Sequence, residues 1–390
     1  MLAYCKRKFC HRHSHFNPPI HCAPLPSGHG ALCTICLYFI PYEPCGENSP
    51  FSPFIGFLRH LFKGESPPVS VTEEFEEGAF WGIRGCKTSF AADIAVLSIP
   101  YELTTSYGQG TENGPAAAIS ASAQVELYDE LLTNELPCGG KIFTAPPWDG
   151  EGDNLKEQQK GIATYVESNV EGGAFPIIFG GEHGILPAVL TGVKNHELLL
   201  GDLSKLTLVQ IDAHADLRNE LDGEPMSHAC AARRSLDLGV GKLLQLGVRA
   251  YCREEKEFID LDSRVTTWFA RDVLSLANSS EKWAGWLTAL QSIEGPVWLT
   301  IDMDGLDPCY VPSTGTPVPG GLSFWQVIET IEKLFSSQSA LVLGVDINEI
   351  VPDQNNHITE FTAAMLATKV IAAHIANSLT PDTEADDNEA

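Results

Sequence analysis

The chain has 390 residues, 44% of them hydrophobic, and a formal net charge of −26. That length allows one large domain or two ordinary ones, with a sizeable core. The charge argues against nucleic acid and anionic membrane as partners; it is compatible with a small cationic substrate or with a simply solvated acidic surface.

Residues 1–88 differ in composition from everything after them: they are rich in Cys, His and Pro, then in aromatics. Six of the eleven cysteines lie in the first 45 residues: Cys5, Cys10, Cys22, Cys33, Cys36 and Cys45. The other five have no regular spacing, which excludes a disulfide framework for the main body. Cys33-Thr-Ile-Cys36 with His11, His13, His15, His21 and His29 nearby has ingredients of a zinc module, but a second well-spaced ligand pair is missing. The segment reads instead as an extension or an over-long start of the reading frame. Pro50 to Lys63 carries Phe51, Phe54, Phe57, Leu58, Leu61 and Phe62, an aromatic arm suited to docking on the main body. No apolar stretch is expected to reach membrane-spanning length; Ala31–Ile40 is too short. No apolar region follows the basic N-terminus closely, so no secretory signal is read and a cytoplasmic protein is expected.

Over residues 89–379, strand-like runs alternate with helical ones. The pattern predicts strands at Ile94–Ile99, Pro176–Phe179, Leu206–Ile211, Leu243–Gly247, Val297–Ile301 and Ala340–Val345. It predicts helices at Gly114–Leu132, Ile185–Val193, Trp325–Phe335 and Thr362–Asn377. Continuous apolar strands between helices indicate an α/β fold of three layers, α/β/α, with a central, mostly parallel sheet. Residues 380–390 form an acidic tail with the composition of disorder.

Polar clusters follow four of these strands, where open α/β sheets gather functional residues. They are Gly180-Gly-Glu-His183, Asp212-Ala-His214-Ala-Asp216, Asp302-Met-Asp304-Gly-Leu-Asp307 and Asp346-Ile-Asn-Glu349. Residues two apart on an extended chain point the same way. Asp212, His214 and Asp216 can therefore converge, and so can Asp302 and Asp304. Four carboxylates and an imidazole at two strand ends are costly unless cations neutralise them. Oxygen and imidazole donors suit Mn, Ni, Co or Zn, and the ligand surplus suggests two ions. Asp307, before Pro308 in a turn, is expected to shape its loop rather than bind metal.

These clusters, with Ser227-His-Ala229, Thr300-Ile-Asp-Met-Asp-Gly-Leu-Asp-Pro308, Ser313-Thr-Gly-Thr-Pro317, Gly320-Gly-Leu322 and Asn348-Glu-Ile350, resemble the motifs of the ureohydrolases. This is the arginase, agmatinase and guanidinobutyrase superfamily of binuclear metal hydrolases. The resemblance covers about residues 93 to 378 and implies an arginase-like catalytic domain. It implies that one metal takes His183, Asp212, Asp216 and Asp302 and the other takes His214, Asp212, Asp302 and Asp304, with Asp212 and Asp302 bridging. It implies a metal-bridging hydroxide that attacks a guanidino carbon. Asp216 would accept and pass on a proton, His228 would shuttle protons or contact substrate, and Thr316 would line the guanidinium pocket. Glu349 would pair with the guanidinium edge, since planar N–H forks and carboxylates match bidentately.

Arginases recognise the amino-acid end of arginine partly through acids after a Gly-Leu-Arg-Asp stretch. The matching stretch is Gly247-Val-Arg-Ala250-Tyr-Cys252, where Ala250 and Cys252 replace the acids, which argues against arginine as substrate. The stretches Asp216–His228 and Thr105–Pro115 look like agmatinases. Including Phe80-Trp-Gly-Ile-Arg-Gly85, the chain is similar to cyanobacterial agmatinase-like proteins, a subgroup that includes guanidine hydrolases. The resemblance implies hydrolysis of free guanidine to urea and ammonia, Ni(II) in preference to Mn(II), a homo-oligomer (trimer or hexamer) and metal-loading chaperones as partners. Agmatinase is the alternative, and a non-catalytic metal scaffold using the N-terminal Cys/His cluster is a remote one. A small substrate needs a closed pocket, and the arm from Phe51 to Trp81 is a candidate lid. Tyr107 and Trp325 are expected to be core packing.

Overall fold

The computed structural model describes residues 75–150, 154–277 and 279–378. The Cys/His cluster, Phe51–Lys63 and the tail 380–390 lie outside the described residues. In chain order the strands are β1 (Ile94–Ile99), β2 (Tyr128–Asp129), β3 (Asn134–Glu135), β4 (Ile142–Thr144), β5 (Phe175–Gly180), β6 (Thr207–Ile211), β7 (Lys242–Leu246), β8 (Val265–Trp268), β9 (Gly295–Asp302) and β10 (Ala340–Asn348). The helices are α1 (Gly114–Ser122), α2 (Leu155–Val170), α3 (Leu186–Val193), α4 (Ala231–Asp237), α5 (Arg253–Leu261), α6 (Ala270–Val273), α7 (Ser279–Gln291), α8 (Phe324–Phe335) and α9 (Ile358–Ser378).

Eight strands form one sheet in the order β4-β1-β5-β10-β9-β6-β7-β8, and every pairing in it is parallel. Strands buried on both faces need apolar side chains in both directions, and these have them. Along β5, Phe175, Ile177 and Phe179 join one core while Ile178 joins the other. The first core is closed by residues of α1, α7, α8 and α9, the second by residues of α2, α3 and α4. The expected three layers are thus present.

Local sequence explains several boundaries. Ser323 caps α8 in a reciprocal capping box with Gln326, and the helix buries Val327, Ile328, Ile331, Leu334 and Phe335 along one stripe. The helix expected over Gly114–Leu132 stops at Ser122, and the β2–β3 hairpin takes up part of the remainder. The chain also holds α2, α4, α5, α7, β4 and β8, which are short or only weakly patterned.

Two expectations are corrected here. Helix α9 is long and apolar enough to cross a membrane by length and composition, but 67% of its apolar window is buried inside the protein. It is apolar all round because it packs on the sheet and on α1 and α8. The described end of the aromatic arm is core rather than lid. Phe80 packs 5.9 Å from the Phe179 ring, and Trp81 Nε1 donates to Thr368 Oγ1 of α9 at 2.9 Å.

Candidate metal centre and active site

The four central strands β5, β10, β9 and β6 deliver the polar clusters to one end of the sheet. Their registers align Ile211 with Ile301, Ile301 with Ile347, and Ile347 with Phe179, so their carboxyl ends lie at one level. Beyond β6 the chain stays extended because Arg249 and Ala250 donate their backbone N–H groups to Ala213 O at 2.8 and 2.9 Å. Asp212 and His214 therefore project together, as the alternation predicts. Asp216 does not simply continue the strand. It sits at φ 54°, a left-handed conformation that turns its carboxylate back into the cluster. Glu349 has φ 64°. Such strain in non-glycine residues concentrates at functional sites.

His183 Nδ1 lies 3.1 Å from Asp212 Oδ2, 3.0 Å from Asp216 Oδ2 and 3.5 Å from Asp302 Oδ2. His214 Nδ1 lies 3.0 Å from Asp304 Oδ2 and 3.7 Å from Asp212 Oδ1. Two groups of potential ligands result: His183, Asp212 and Asp216, and Asp212, His214 and Asp304. Asp212 is common to both, and Asp302 stands beside the first. His183 Nδ1 is buried and makes no hydrogen bond despite these three oxygens. Ligand atoms about 3 Å apart are what ions with metal–ligand bonds of about 2.0–2.2 Å produce, so the donor set fits two divalent ions.

The electrostatics say the same. Burial raises the Asp216 carboxyl to about 7, with the Asp212 charge adding to the effect. Burial, with Asp304 and Asp212 alongside, pushes Asp302 well above the carboxylate range. Burial alone would lower His214, but Asp304 and Asp212 overcome it and raise the imidazole to about 12. Asp216, Asp302 and His214 thus favour a bound proton while His183 and His214 hold Asp212 ionised, the pattern of a buried acidic cluster that calls for positive charge.

Surrounding groups fix these ligands. His183 Nε2 pairs with Thr300 Oγ1 at 2.8 Å, and Gln210 Nε2 donates to Asp212 Oδ2 at 2.7 Å. Such outer contacts set ring tautomer and carboxylate orientation. Arg249 donates to Asp304 O at 2.6 Å, Leu306 O at 3.2 Å and Val318 O at 2.6 Å, tying the loop after β9 to the Thr316 loop. Asp307 accepts from the N–H groups of Cys309, Gly320 and Gly321, so it shapes its loop as expected. Gly181 has no alternative residue, since a Cβ there would sit 2.0 Å from Tyr101 O.

Above the cluster lies a cavity of about 330 Å³ whose lining includes Ser106, His214, Asp216, Arg218, His228 and Thr316. Thr316 Oγ1 donates to Asp304 Oδ2 at 3.2 Å. His228 is held near neutral form: burial, then the neighbouring His214 and His183, lowers it to about 4. Glu349 lies beneath, 6% exposed, with Oε1 accepting from His183 N–H at 2.8 Å and Oε2 against the Gly315 turn. Burial lifts its carboxyl to about 8, with Glu182 contributing. Tyr107 and Trp325 are not core residues: they are 81% and 67% exposed. Tyr107 rides on the loop that Gly108 pins to Gly315 by a 2.9 Å backbone hydrogen bond. Arg249, Thr300, Gln210, Glu182 and Thr104 were not legible as site residues. Glu182, Thr300 and Arg249 lie inside motif stretches of the sequence, whereas Gln210 and Thr104 carry no such signal.

The fold and site define a three-layer α/β hydrolase with a two-metal ligand set at its central strand ends. The arginase family model matches residues 92–373, and the chain belongs to the arginase family. It is 38% identical over 296 residues to the N(1)-aminopropylagmatine ureohydrolase of Synechocystis sp., covering 73% of this chain and 90% of that protein. It is 34% identical over 284 residues to the agmatinase of Pyrococcus horikoshii, covering 72% and 91%. The agmatine ureohydrolase of Thermoplasma volcanium superposes with a TM-score of 0.65 at 26% identity, over 82% of this chain and 98% of that one. An arginase from Medicago truncatula, at 22% identity and a TM-score of 0.60, shares the fold. The protein is therefore an arginase-family ureohydrolase of guanidino compounds, in a family dependent on two divalent metal ions.

Proposed function

We propose that this protein hydrolyses free guanidine to urea and ammonia. The observation that carries this reading is the charge of the cavity wall. Among the described lining residues the acids are Asp216, which belongs to the ligand cluster, and Glu255. Both Glu255 oxygens are turned onto backbone donors: Oε1 accepts from Leu217 N–H and Oε2 from Cys252 N–H. Arg218 stands in the same wall, 3.9 Å from Glu255. A substrate with a distal ammonium meets a guanidinium there and no waiting carboxylate, whereas a substrate with no tail has neither problem.

Two divalent ions, Ni(II) or Mn(II), when held by His183, Asp212, Asp216 and Asp302 and by His214, Asp212, Asp302 and Asp304, supply a strong nucleophile from water at neutral pH. The chain's own residues do the rest. Glu349, whose buried carboxyl a cationic guanidinium draws into the ionised form, accepts at Oε2 from the N–H edge and orients it, since its Oε1 is already committed to His183 N–H. Asp216 accepts a proton at its carboxylate and returns one to the departing nitrogen. His228, at the cavity wall, carries protons between that nitrogen and solvent, and Thr316 holds Asp304 in place. A cytoplasmic homo-oligomer, loaded with metal by chaperones, belongs to the same reading.

Agmatinase is the second reading, favoured by the relatives named agmatinase and N(1)-aminopropylagmatine ureohydrolase. Steady-state urea release from guanidine, agmatine, N(1)-aminopropylagmatine, arginine and 4-guanidinobutyrate separates the two. Guanidine is expected to give the highest kcat/KM; a clear preference for agmatine overturns the proposal.

A further inference from the structure

His228 makes contacts that fix more than its position. Its backbone N–H donates to Thr104 Oγ1 at 3.0 Å, and its ring Nδ1 lies 3.2 Å from the same oxygen. Thr104 Oγ1 in turn donates to Glu182 Oε1 at 2.8 Å. The other carboxylate oxygen, Oε2, is already occupied by the backbone N–H groups of Leu103 at 3.0 Å and Thr104 at 2.7 Å. Glu182 is fully buried.

A hydroxyl has one proton and two lone pairs. Thr104 spends its proton on Glu182, so both lone pairs must accept, one from His228 N–H and one from Nδ1. A ring nitrogen that meets a lone pair is stabilised when it carries the proton. Nε2 is then the unprotonated nitrogen, and it faces Ser106 Oγ at 3.5 Å on the cavity side. Ser227 Oγ is the remaining neighbour of Nδ1, at 3.3 Å, and its hydroxyl can donate or accept, so it serves either tautomer and leaves the Thr104 contact to decide. The other charged and titratable groups acting on the ring are His214, His183 and Asp212.

We infer that Glu182 and Thr104 are positioning residues that hold His228 in the Nδ1–H tautomer, leaving Nε2 as the proton acceptor toward the substrate. The logic is that of a buried carboxylate orienting a catalytic imidazole, with a threonine hydroxyl interposed. As a contribution to catalysis the inference rests on the hydrolase reading above; the tautomer itself does not.

Glu182→Gln provides the sharpest test. The two backbone N–H groups require an oxygen at the Oε2 position, so the amide must place its NH2 at the Oε1 position. It would then donate to Thr104, Thr104 would donate to Nδ1, and His228 would switch to the Nε2–H tautomer. Long-range 1H–15N spectra of the full-length protein loaded with diamagnetic Zn2+, at neutral pH, read the tautomer directly; the His228 signal is assigned by its loss in His228→Gln. Wild type and Thr104→Ser should show Nδ1–H, and Glu182→Gln should show Nε2–H. Urea release should fall roughly tenfold to hundredfold in kcat for Glu182→Gln and Thr104→Val. KM should stay within about twofold and Thr104→Ser should retain activity. A wild-type Nε2–H tautomer, or a Glu182→Gln protein that keeps Nδ1–H, overturns the inference. A wild type that releases no urea from any guanidino compound defeats the functional reading instead, and the tautomer measurement still decides this one.

Discussion

Replacing Glu349 by Gln preserves shape and volume at a residue 6% exposed, but reverses the polarity of one edge. His183 N–H, 2.8 Å from Oε1, demands an acceptor, so the amide oxygen must take that position. The NH2 group then occupies the place of Oε2 beside Gly315 and presents donors to a guanidinium that has only donors to offer. The substrate loses a charge-assisted contact of about 1.5–3 kcal/mol, which corresponds to roughly a 10- to 150-fold fall in kcat/KM. Glu349 lies outside both ligand groups, so metal content should be unchanged. The assay is steady-state urea release, with metal measured on the same sample. A kcat/KM within about threefold of wild type at full metal occupancy would refute the assignment of Glu349 to the guanidinium edge.

Three further outcomes follow from the packing and the charges. Gly181→Ala forces a Cβ to 2.0 Å from Tyr101 O, and should cost about 3 kcal/mol by thermal or denaturant unfolding, with urea release lost; a wild-type Tm would contradict the close approach. Arg249→Lys removes the fork that joins Asp304 O, Leu306 O and Val318 O, and should weaken binding of the second metal roughly tenfold or more in a competition titration; unchanged affinity would show that the loop holds without it. His374 stacks on Phe175 at 4.0 Å, and burial lowers it to about 4, against the opposing pull of Asp93. The unfolded chain therefore binds the extra proton between its ordinary 6.5 and about 4, so stability is full above 6.5 and is lost as pH falls through that window. The loss between pH 7 and 5 is about 2 kcal/mol, and His374→Phe should lack that share of it in paired unfolding curves; identical pH dependence in both proteins would contradict the buried neutral ring.

Much of this site lay open in the sequence because strand alternation and strand-end placement are short-range rules. Asp212, His214 and Asp302 follow from them directly, whereas Asp304 sits in the 3-10 turn Met303–Gly305 that Asp302 caps, which alternation does not contain. Asp216 needed a left-handed turn that alternation does not contain, and its convergence rests on that φ of 54°. What stayed hidden depends on contacts between distant segments. Thr104 meets Glu182 and His228 across 78 and 124 residues, and nothing local marks it. Tyr107 and Trp325 depart from the expected core packing because an aromatic in a patterned stretch suggests a core, while their loop and helix end face outward. Helix α9 does not stand out in the sequence as a long apolar segment because its polar residues are spread through it rather than gathered on one face.

The central claim is that two metal ions in this cluster serve hydrolysis of a guanidino carbon. Its most direct test is titration of metal-free protein with Ni2+ and with Mn2+ while urea release from guanidine is recorded. Activity should rise from the metal-free baseline and level off at about two equivalents per chain for at least one of the metals. Activity that is complete without added metal, that saturates at about one equivalent, or that is absent toward guanidine and agmatine alike at full metal occupancy would contradict it.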